Sequence, residues 1–138
     1  MNDGDAPTRV ALVTGATSGI GRACAVRLAT DGFAVVVGGR DAGRANAVVA
    51  EIISNGGTAS IALGDVAEAK YGDEAVASAL AAHGRLDLLV NAAGVITRSD
   101  AEGTTDAEWH RTMSTNVDGL FRCSPAALPA LRATGGGA

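Results

Sequence analysis

The sequence is poor in aromatic residues, with two Phe, one Trp and one Tyr among 138 residues. Because 47% of the residues are nevertheless apolar, the core is predicted to be aliphatic and built from Val, Leu, Ile and Ala. A chain of this length can bury such a core as one domain without the help of disulfides.

Cysteine is also scarce, and Cys24 and Cys123 fit neither a metal-ligand spacing nor a disulfide framework. We interpret both as small apolar packing residues and expect no metal site.

The N-terminus lacks the basic and apolar segments of a leader, and no run reaches the ~18 apolar residues of a membrane helix. The expected location is therefore the cytoplasm.

Positive charge is limited as well. The formal net charge is −4, Lys70 is the only lysine, and the arginines are scattered along the chain. Proteins that bind nucleic acid neutralise phosphates with a basic stripe or patch, and anionic membranes attract similar clusters. We therefore expect neither nucleic acid nor a membrane surface as a partner.

What the sequence does contain is a regular alternation of short apolar runs and helical patterns, separated by Gly, Asp and Asn. Strands are predicted at residues 10–13, 34–37, 58–63 and 86–90. Helices are predicted at residues 19–29, from 41 or 44 to 54, 73–82 and 107 to about 131, with Pro125 kinking the last one. This alternation indicates a single α/β domain with an open parallel sheet.

A glycine motif, G-x-x-x-G-x-G, follows the first predicted strand and opens the first helix. With 19 glycines in the chain the spacing alone is weak, but its position is the one that phosphate binding requires. Gly15 permits the turn, Gly19 lets a pyrophosphate approach the backbone, and Gly21 lets the helix pack closely. Thr17 and Ser18 can add hydroxyl hydrogen bonds. A purely structural turn is the alternative.

Four segments together resemble the short-chain dehydrogenase/reductase family, particularly its 3-oxoacyl-reductase-like members. They are Thr-Gly-Ala-Thr-Ser-Gly-Ile-Gly at 14–21, Gly-Asp-Val at 64–66, Asn-Ala-Ala-Gly at 91–94 and Asn-Val-Asp-Gly at 116–119. Their order and spacing agree with the family across essentially the whole chain. The expected fold is therefore a doubly wound Rossmann sheet with strand order 3-2-1-4.

The resemblance implies roles for residues in each segment. Asp65 would accept a hydrogen bond from the adenine amino group, and the backbone of Val66 would contact the ring. Asn91, Ala92 and Gly94 would pass beside the adenosine ribose and the diphosphate. For each of these residues a structural role in a loop or turn is the alternative.

Two further residues enter through the same resemblance. Ile20 belongs to the glycine signature, so the resemblance implies that it also contacts the cofactor. Asn116 matches the one member of the family's catalytic Asn-Ser-Tyr-Lys set that this sequence contains. It would bend its helix locally and hold a water that relays protons. The alternative for Asn116 is a plain surface residue on a helix.

The choice of cofactor depends on the end of the second strand. A ribose 2′-hydroxyl is best bound by Asp or Glu there, whereas a 2′-phosphate needs an arginine. Gly39 leaves the acidic position empty and Arg40 follows directly. NADP(H) is therefore predicted over NAD(H), although Ser18 stands where many NADP-binding relatives carry a second basic residue. Asp41 is interpreted as a helix cap.

The sequence departs from the family in its catalytic residues. The family's reaction uses a serine and a Tyr-x-x-x-Lys pair, but Lys70 and Tyr71 are adjacent and precede the fourth strand. The segment 132–138 resembles the turn before a fifth strand. We therefore expect the adenosine-binding half of a homo-oligomeric, NADP(H)-dependent oxidoreductase that interconverts a carbonyl and a secondary alcohol. His83 is expected to be a solvated imidazole.

One alternative from a different functional class stays open at this point. The chain could be a non-catalytic protein that binds a dinucleotide or a partner and ends at residue 138. The enzyme hypothesis requires catalytic residues encoded downstream, whereas the binding hypothesis requires a stable polypeptide that NADP(H) stabilises further.

Overall fold

A computed structural model describes residues 6–138. Its four strands form one parallel sheet in the order β3-β2-β1-β4, which confirms the predicted order. The strands are β1 (Val10–Thr14), β2 (Ala34–Gly39), β3 (Thr58–Leu63) and β4 (Leu88–Asn91). The helices are α1 (Gly19–Thr30), α2 (Ala42–Ser54), α3 (Tyr71–His83), α4 (Asp106–Met113) and α5 (Gly119–Ala133), with a π-helical turn at Ser114–Asp118 between the last two.

The sheet is covered by helices on both faces. Alternate residues of a strand point to opposite faces, and β1 and β2 are buried on both, so their sequences are almost continuously apolar. Leu12 and Val36 join a cluster with residues of α3 and α5, while Val13 and Val37 join a second cluster with residues of α1 and α2. The predicted doubly wound architecture is therefore confirmed.

Several element boundaries differ from the sequence prediction. β2 continues to Gly39 because Gly38 and Gly39 remain paired with the neighbouring β3. β4 begins at Leu88 rather than at residue 86, and Leu86 is buried in the core just before it. α3 begins two residues earlier than predicted, at Tyr71, whose side chain is also in the core.

The long C-terminal helix is not continuous. The π-helical turn interrupts the α-helical pattern at Ser114–Asp118, and α5 includes Pro125. The kink predicted at Pro125 stays a prediction. A proline leaves the carbonyl four residues earlier without its helical partner. That residue is Phe121, which is 72% exposed, so water can take the missing donor's place. Within residues 6–138, none of the helices combines the length and the apolar character needed to cross a membrane.

The second edge of β4 is also engaged in parallel pairing. The amide of Ala138 donates to the carbonyl of Asp87 (3.0 Å), and the amide of Leu89 donates to the carbonyl of Ala138 (2.9 Å). This slanted pair of bonds is the hydrogen-bond pattern of a parallel ladder. All four residues of β4 are only half-buried, in contrast to those of β1.

Candidate functional site

A cleft of about 710 Å³ lies at the carboxyl edge of the sheet. In open α/β sheets this edge binds ligands where the strand order reverses, which here is the crevice between β1 and β4. The structure brings most of the residues predicted to bind a cofactor to the walls of this cleft. They are Gly15, Thr17, Ser18, Gly19, Ile20, Arg40, Asp65, Val66, Ala92 and Gly94.

The glycine turn forms one wall. Gly15 has a φ of 63°, a left-handed conformation that favours glycine, and it lies directly against the backbone of Ala92 and Ala93. Gly19 also has a positive φ, and the space beside it is open. Gly21 lies outside the cleft wall, where a methyl group would collide with the carbonyl oxygen of Gly15. Its predicted role in close packing thus corresponds to a contact with the turn itself.

The N-terminus of α1 points its unpaired amides at the same wall. The first turn of a helix has N–H groups without intrahelical partners, and it carries a partial positive charge. Ser18 is the N-cap residue, but its side chain makes no capping hydrogen bond, and the first turn of α1 contains no acidic residue. Among residues 6–138, neither a side-chain cap nor an acid of this turn competes for these donors, and a pyrophosphate fits them in charge and in hydrogen bonding.

Thr14 connects the two walls and was not singled out by the sequence analysis. It is buried at 1% exposure. Its hydroxyl donates to the carbonyl of Val90 (3.4 Å) and accepts from the amides of Ala92 (3.3 Å) and Ala93 (3.4 Å). The side chain therefore holds the 92–94 segment against the glycine turn. Its polarity at the end of an apolar strand is the signal that could have found it.

The far end of the cleft carries Arg40 and Asp65. Arg40 Nη1 lies 3.8 Å from Asp65 Oδ2, and the other carboxylate oxygen accepts the amide of Ala67 (2.9 Å). The methyl group of Thr17 fills the space that a side chain at Gly39 would need. The last position of β2 is therefore occupied by a glycine, and the first side chain after it that lines the cleft is that of Arg40.

Asp41 and Arg44 line the same end of the cleft. Asp41 caps α2 through a hydrogen bond from the amide of Arg44 (2.9 Å), which confirms its predicted role as a helix cap. Arg44 was missed by the sequence analysis. Its position in the first turn of α2, close after the end of β2, was an available signal.

Two predicted residues, Asn91 and Asn116, are not among those that line the cleft. The side-chain amide of Asn91 donates to the hydroxyl of Ser124 on α5 (3.3 Å). Asn116 lies in the π-helical turn, where its side chain accepts from the amide of Val95 (2.7 Å) and donates to the Val95 carbonyl (2.8 Å). The helix is therefore irregular at Asn116, and the side chain holds the segment that follows Gly94.

Tyr71 is a core residue rather than an acid or base. Its hydroxyl donates to the carbonyl of Ala62 (2.9 Å), and the residue is 2% exposed. Burial, followed by the nearby Cys123, raises the pKa of this phenol well above its ordinary value. Gly64 and Gly38 lie so close to the ring and the hydroxyl that neither position has room for a side chain. Tyr71 thus supports the floor of the cleft.

His83 is not the solvated imidazole that the sequence analysis predicted. Its Nε2 lies 2.9 Å from the hydroxyl of Ser60, which joins the C-terminal end of α3 to the edge strand β3. Partial burial of the ring lowers the pKa of His83, because desolvation disfavours the charged form. The correction follows from tertiary packing, which places the helix end over β3.

The sequence and the fold both match proteins of one family. Residues 9–138 match the family described as short chain dehydrogenase. A 3-oxoacyl-[acyl-carrier-protein] reductase of Synechocystis sp. is 40% identical over 86% of this chain and 48% of its own length. The short-chain reductase protein NovJ of Streptomyces niveus is 42% identical over 93% of this chain and 49% of its own length.

Solved structures give the same result. The actinorhodin polyketide ketoreductase F189W with NADPH superposes with a TM-score of 0.86 at 33% identity, over 93% of this chain and 49% of that one. A metagenomic short-chain oxidoreductase in complex with NADP gives a TM-score of 0.87 at 36% identity, over 95% and 60%. The chain spans about half the length of the first two relatives. It belongs to the short-chain dehydrogenase family.

Proposed function

We propose that this chain forms the NADP(H)-binding part of an oxidoreductase that interconverts a carbonyl and a secondary alcohol by hydride transfer. The observation that carries the proposal is the composition of the cleft. One crevice brings together a glycine turn, a helix N-terminus without a side-chain cap, and an arginine at the end of β2. Each of these features has a counterpart in a phosphorylated dinucleotide.

Different residues of the cleft would bind different parts of such a ligand. The amides that begin α1 would bind the pyrophosphate, with Thr17 and Ser18 beside it. Asp65 and Val66 would face the adenine, and Arg40 would face the 2′-phosphate, which a guanidinium grips bidentately. The ribose and diphosphate would lie along the backbone of 91–94. When bound, the nicotinamide supplies or accepts the hydride.

We place the proton-transfer residues of this reaction in sequence beyond residue 138. Three observations support that placement. Tyr71 is the one tyrosine of the sequence, and its hydrogen bond to Ala62 holds it in the core. The chain also spans only about half the length of these relatives. The pairing of Ala138 with β4 is the start that a further parallel strand would need. Asn116 would then act by positioning a water.

The substrate is proposed to be a small carbonyl compound or alcohol. Relatives of this chain include a cyclohexanol dehydrogenase of Acinetobacter sp., 37% identical over 94% of this chain.

The whole protein is proposed to be a homo-oligomer that uses the exposed side of α4 and α5. Trp109 and Phe121 support this, since they are 57% and 72% exposed there, and large exposed apolar patches mark protein interfaces.

Replacement of Arg40 tests the cofactor assignment. Arg40→Ala should weaken the binding of NADP+ by about tenfold or more, because a charge-assisted hydrogen bond to the phosphate is lost. The affinity for NAD+ should change little. Both dissociation constants are measured by isothermal titration calorimetry. Arg27→Ala is the matched control, since Arg27 pairs with Asp31 on the surface of α1. Equal losses for the two dinucleotides in Arg40→Ala would overturn the assignment.

A further inference from the structure

Arg40 and Asp65 are neighbours because of the strand register. Gly39, the last residue of β2, is paired with Leu63, the last residue of β3, and the amide of Gly64 donates to the carbonyl of Gly39 (2.9 Å). Arg40 is the first residue after β2, and Asp65 is the second residue after β3. The pairing of the two strand ends therefore brings the two residues close together.

The two oxygens of Asp65 have different surroundings. Oδ1 accepts the amide of Ala67 (2.9 Å), which fixes the orientation of the carboxylate. Oδ2 is left facing the guanidinium of Arg40 at 3.8 Å. In the proposed function the adenine amino group also needs an acceptor on this carboxylate. The amino group and Arg40 are thus rival donors for the same oxygen.

Arg40 likewise has two competing partners, because both Asp65 and the 2′-phosphate can bind its guanidinium. The charged side chains that line this end of the cleft are two arginines and two aspartates, Arg40, Asp41, Arg44 and Asp65. Their formal charges cancel. The attraction for a phosphate here therefore depends on how strongly Asp65 holds Arg40, rather than on an excess of positive charge.

We infer that Asp65 moderates the preference for NADP(H) over NAD(H) by restraining Arg40. The inference rests on the proposed function and deepens it. A 2′-phosphate must draw Arg40 away from Asp65, which reduces the advantage of NADP(H), while the released oxygen becomes available to adenine. Asp65 is a positioning residue for the phosphate, in addition to its proposed contact with the base.

The size of the effect follows from the exposure of the pair. The side chains of Arg40 and Asp65 are 63% and 34% exposed, so water screens their attraction. Exposed ion pairs of this kind shift an equilibrium by roughly twofold to fivefold. The restraint thus adjusts selectivity by a small factor, and added salt should weaken it.

The test uses two adenosine nucleotides that differ in the 2′-phosphate, adenosine 2′,5′-bisphosphate and adenosine 5′-monophosphate. Their affinities for the full chain are measured by isothermal titration calorimetry. Asp65→Asn should weaken both nucleotides alike through the lost contact with the base. The ratio of the two affinities should shift toward the bisphosphate by roughly twofold to fivefold. An unchanged ratio would overturn the inference.

Two controls separate restraint of Arg40 from a general effect of charge. Asp41→Asn removes the same charge from the same cleft and keeps a good helix cap, so the ratio should move less than in Asp65→Asn. In an Arg40→Ala background, Asp65→Asn should no longer shift the ratio. An equal shift from Asp41→Asn, or a full shift without Arg40, would refute the inference. If neither nucleotide binds the unmodified chain, the proposed function itself fails and the inference falls with it.

Discussion

At the residue scale, Gly21 shows how closely the first turn of α1 is packed. A methyl group there would enter the carbonyl of Gly15. Alanine favours helices over glycine by about 1 kcal/mol, so helix propensity alone predicts that Gly21→Ala stabilises the protein. We expect the opposite, a loss of about 1–3 kcal/mol in the free energy of unfolding, because backbone blocks the new atom. Urea denaturation measures this value.

Gly136→Ala is the matched control for that substitution. Gly136 has no positive φ, and nothing lies within 4 Å of the place where its Cβ would stand. The free energy of unfolding of Gly136→Ala should stay within about 0.5 kcal/mol of the value for the unmodified protein. If Gly21→Ala proved as stable as Gly136→Ala, the close approach of α1 to the glycine turn would be contradicted.

The residues of the site were predictable to different degrees. The glycines follow from backbone physics, because a turn from a strand into a helix N-terminus has few solutions. Arg40 and Asp65 could be proposed from sequence, but their ion pair depends on the register of β2 and β3, which no local pattern contains. The hydrogen bonds of Thr14 and the core position of Tyr71 likewise depend on residues more than five positions away.

At the scale of elements, the π-helical turn is tied to the strand-to-helix connection by Asn116. Both ends of its side-chain amide bond the backbone of Val95. Asn116→Asp keeps the acceptor but sets a carboxylate oxygen against the Val95 carbonyl. We expect a loss of about 0.5–1.5 kcal/mol in the free energy of unfolding, because Asn116 is exposed and water can partly replace the lost bond. Hydrogen exchange at the Val95 amide should become faster. Both are measured on the same protein by urea denaturation and exchange mass spectrometry.

Asn46→Ala serves as the reference for that experiment, since Asn46 is an exposed residue of α2. Substitutions at such surface positions change stability by less than about 0.5 kcal/mol. Unaltered exchange at Val95 in Asn116→Asp would show that the side chain does not hold this connection.

The junction of β1 and β4 depends on Asp87. Its carboxylate accepts the amide of Val10 (2.8 Å) and two hydrogen bonds from Arg85 (2.6 and 2.8 Å). The hydrogen bond from Arg85 is the largest of the effects that lower the pKa of Asp87 below its ordinary value of 3.8. Because the folded state favours the ionised form, the group contributes stability above pH 3.8, and this is lost as the pH falls through the folded-state pKa.

Asp87→Asn should therefore lower the urea midpoint at pH 7, and the difference from the unmodified protein should narrow below pH 3.8. Asp31→Asn is the control, because Asp31 pairs with Arg27 at the exposed end of α1 and should matter little at either pH. A difference between Asp87→Asn and the unmodified protein that stayed constant from pH 7 to the acid limb would contradict this role of the ionised carboxylate.

For the whole molecule, the order of elements was predictable, whereas the interruption of the last helix was not. The apolar runs of β1 and β2 allow few environments other than a sheet covered on both faces. The strand order came from the family resemblance, and the structure confirms it. The π-helical turn and the path of α5 through Pro125 depend on contacts between helices and loops, which periodicity does not encode.

The part of a dinucleotide that this cleft would bind leads to a last prediction. All the walls described here would bind the adenosine side of a dinucleotide, from the α1 amides to Arg40. Adenosine 2′,5′-bisphosphate should therefore bind nearly as tightly as NADP+, and at the same free concentration it should raise the melting temperature nearly as much. A ligand at one hundred times its dissociation constant stabilises the folded protein by about 2.7 kcal/mol. Nicotinamide mononucleotide at the same concentration should raise the melting temperature much less, because its single phosphate is the only one of its groups that these walls would recognise. A comparable rise with the mononucleotide would mean that the cleft also binds the nicotinamide side, and that the division of the ligand proposed here is wrong.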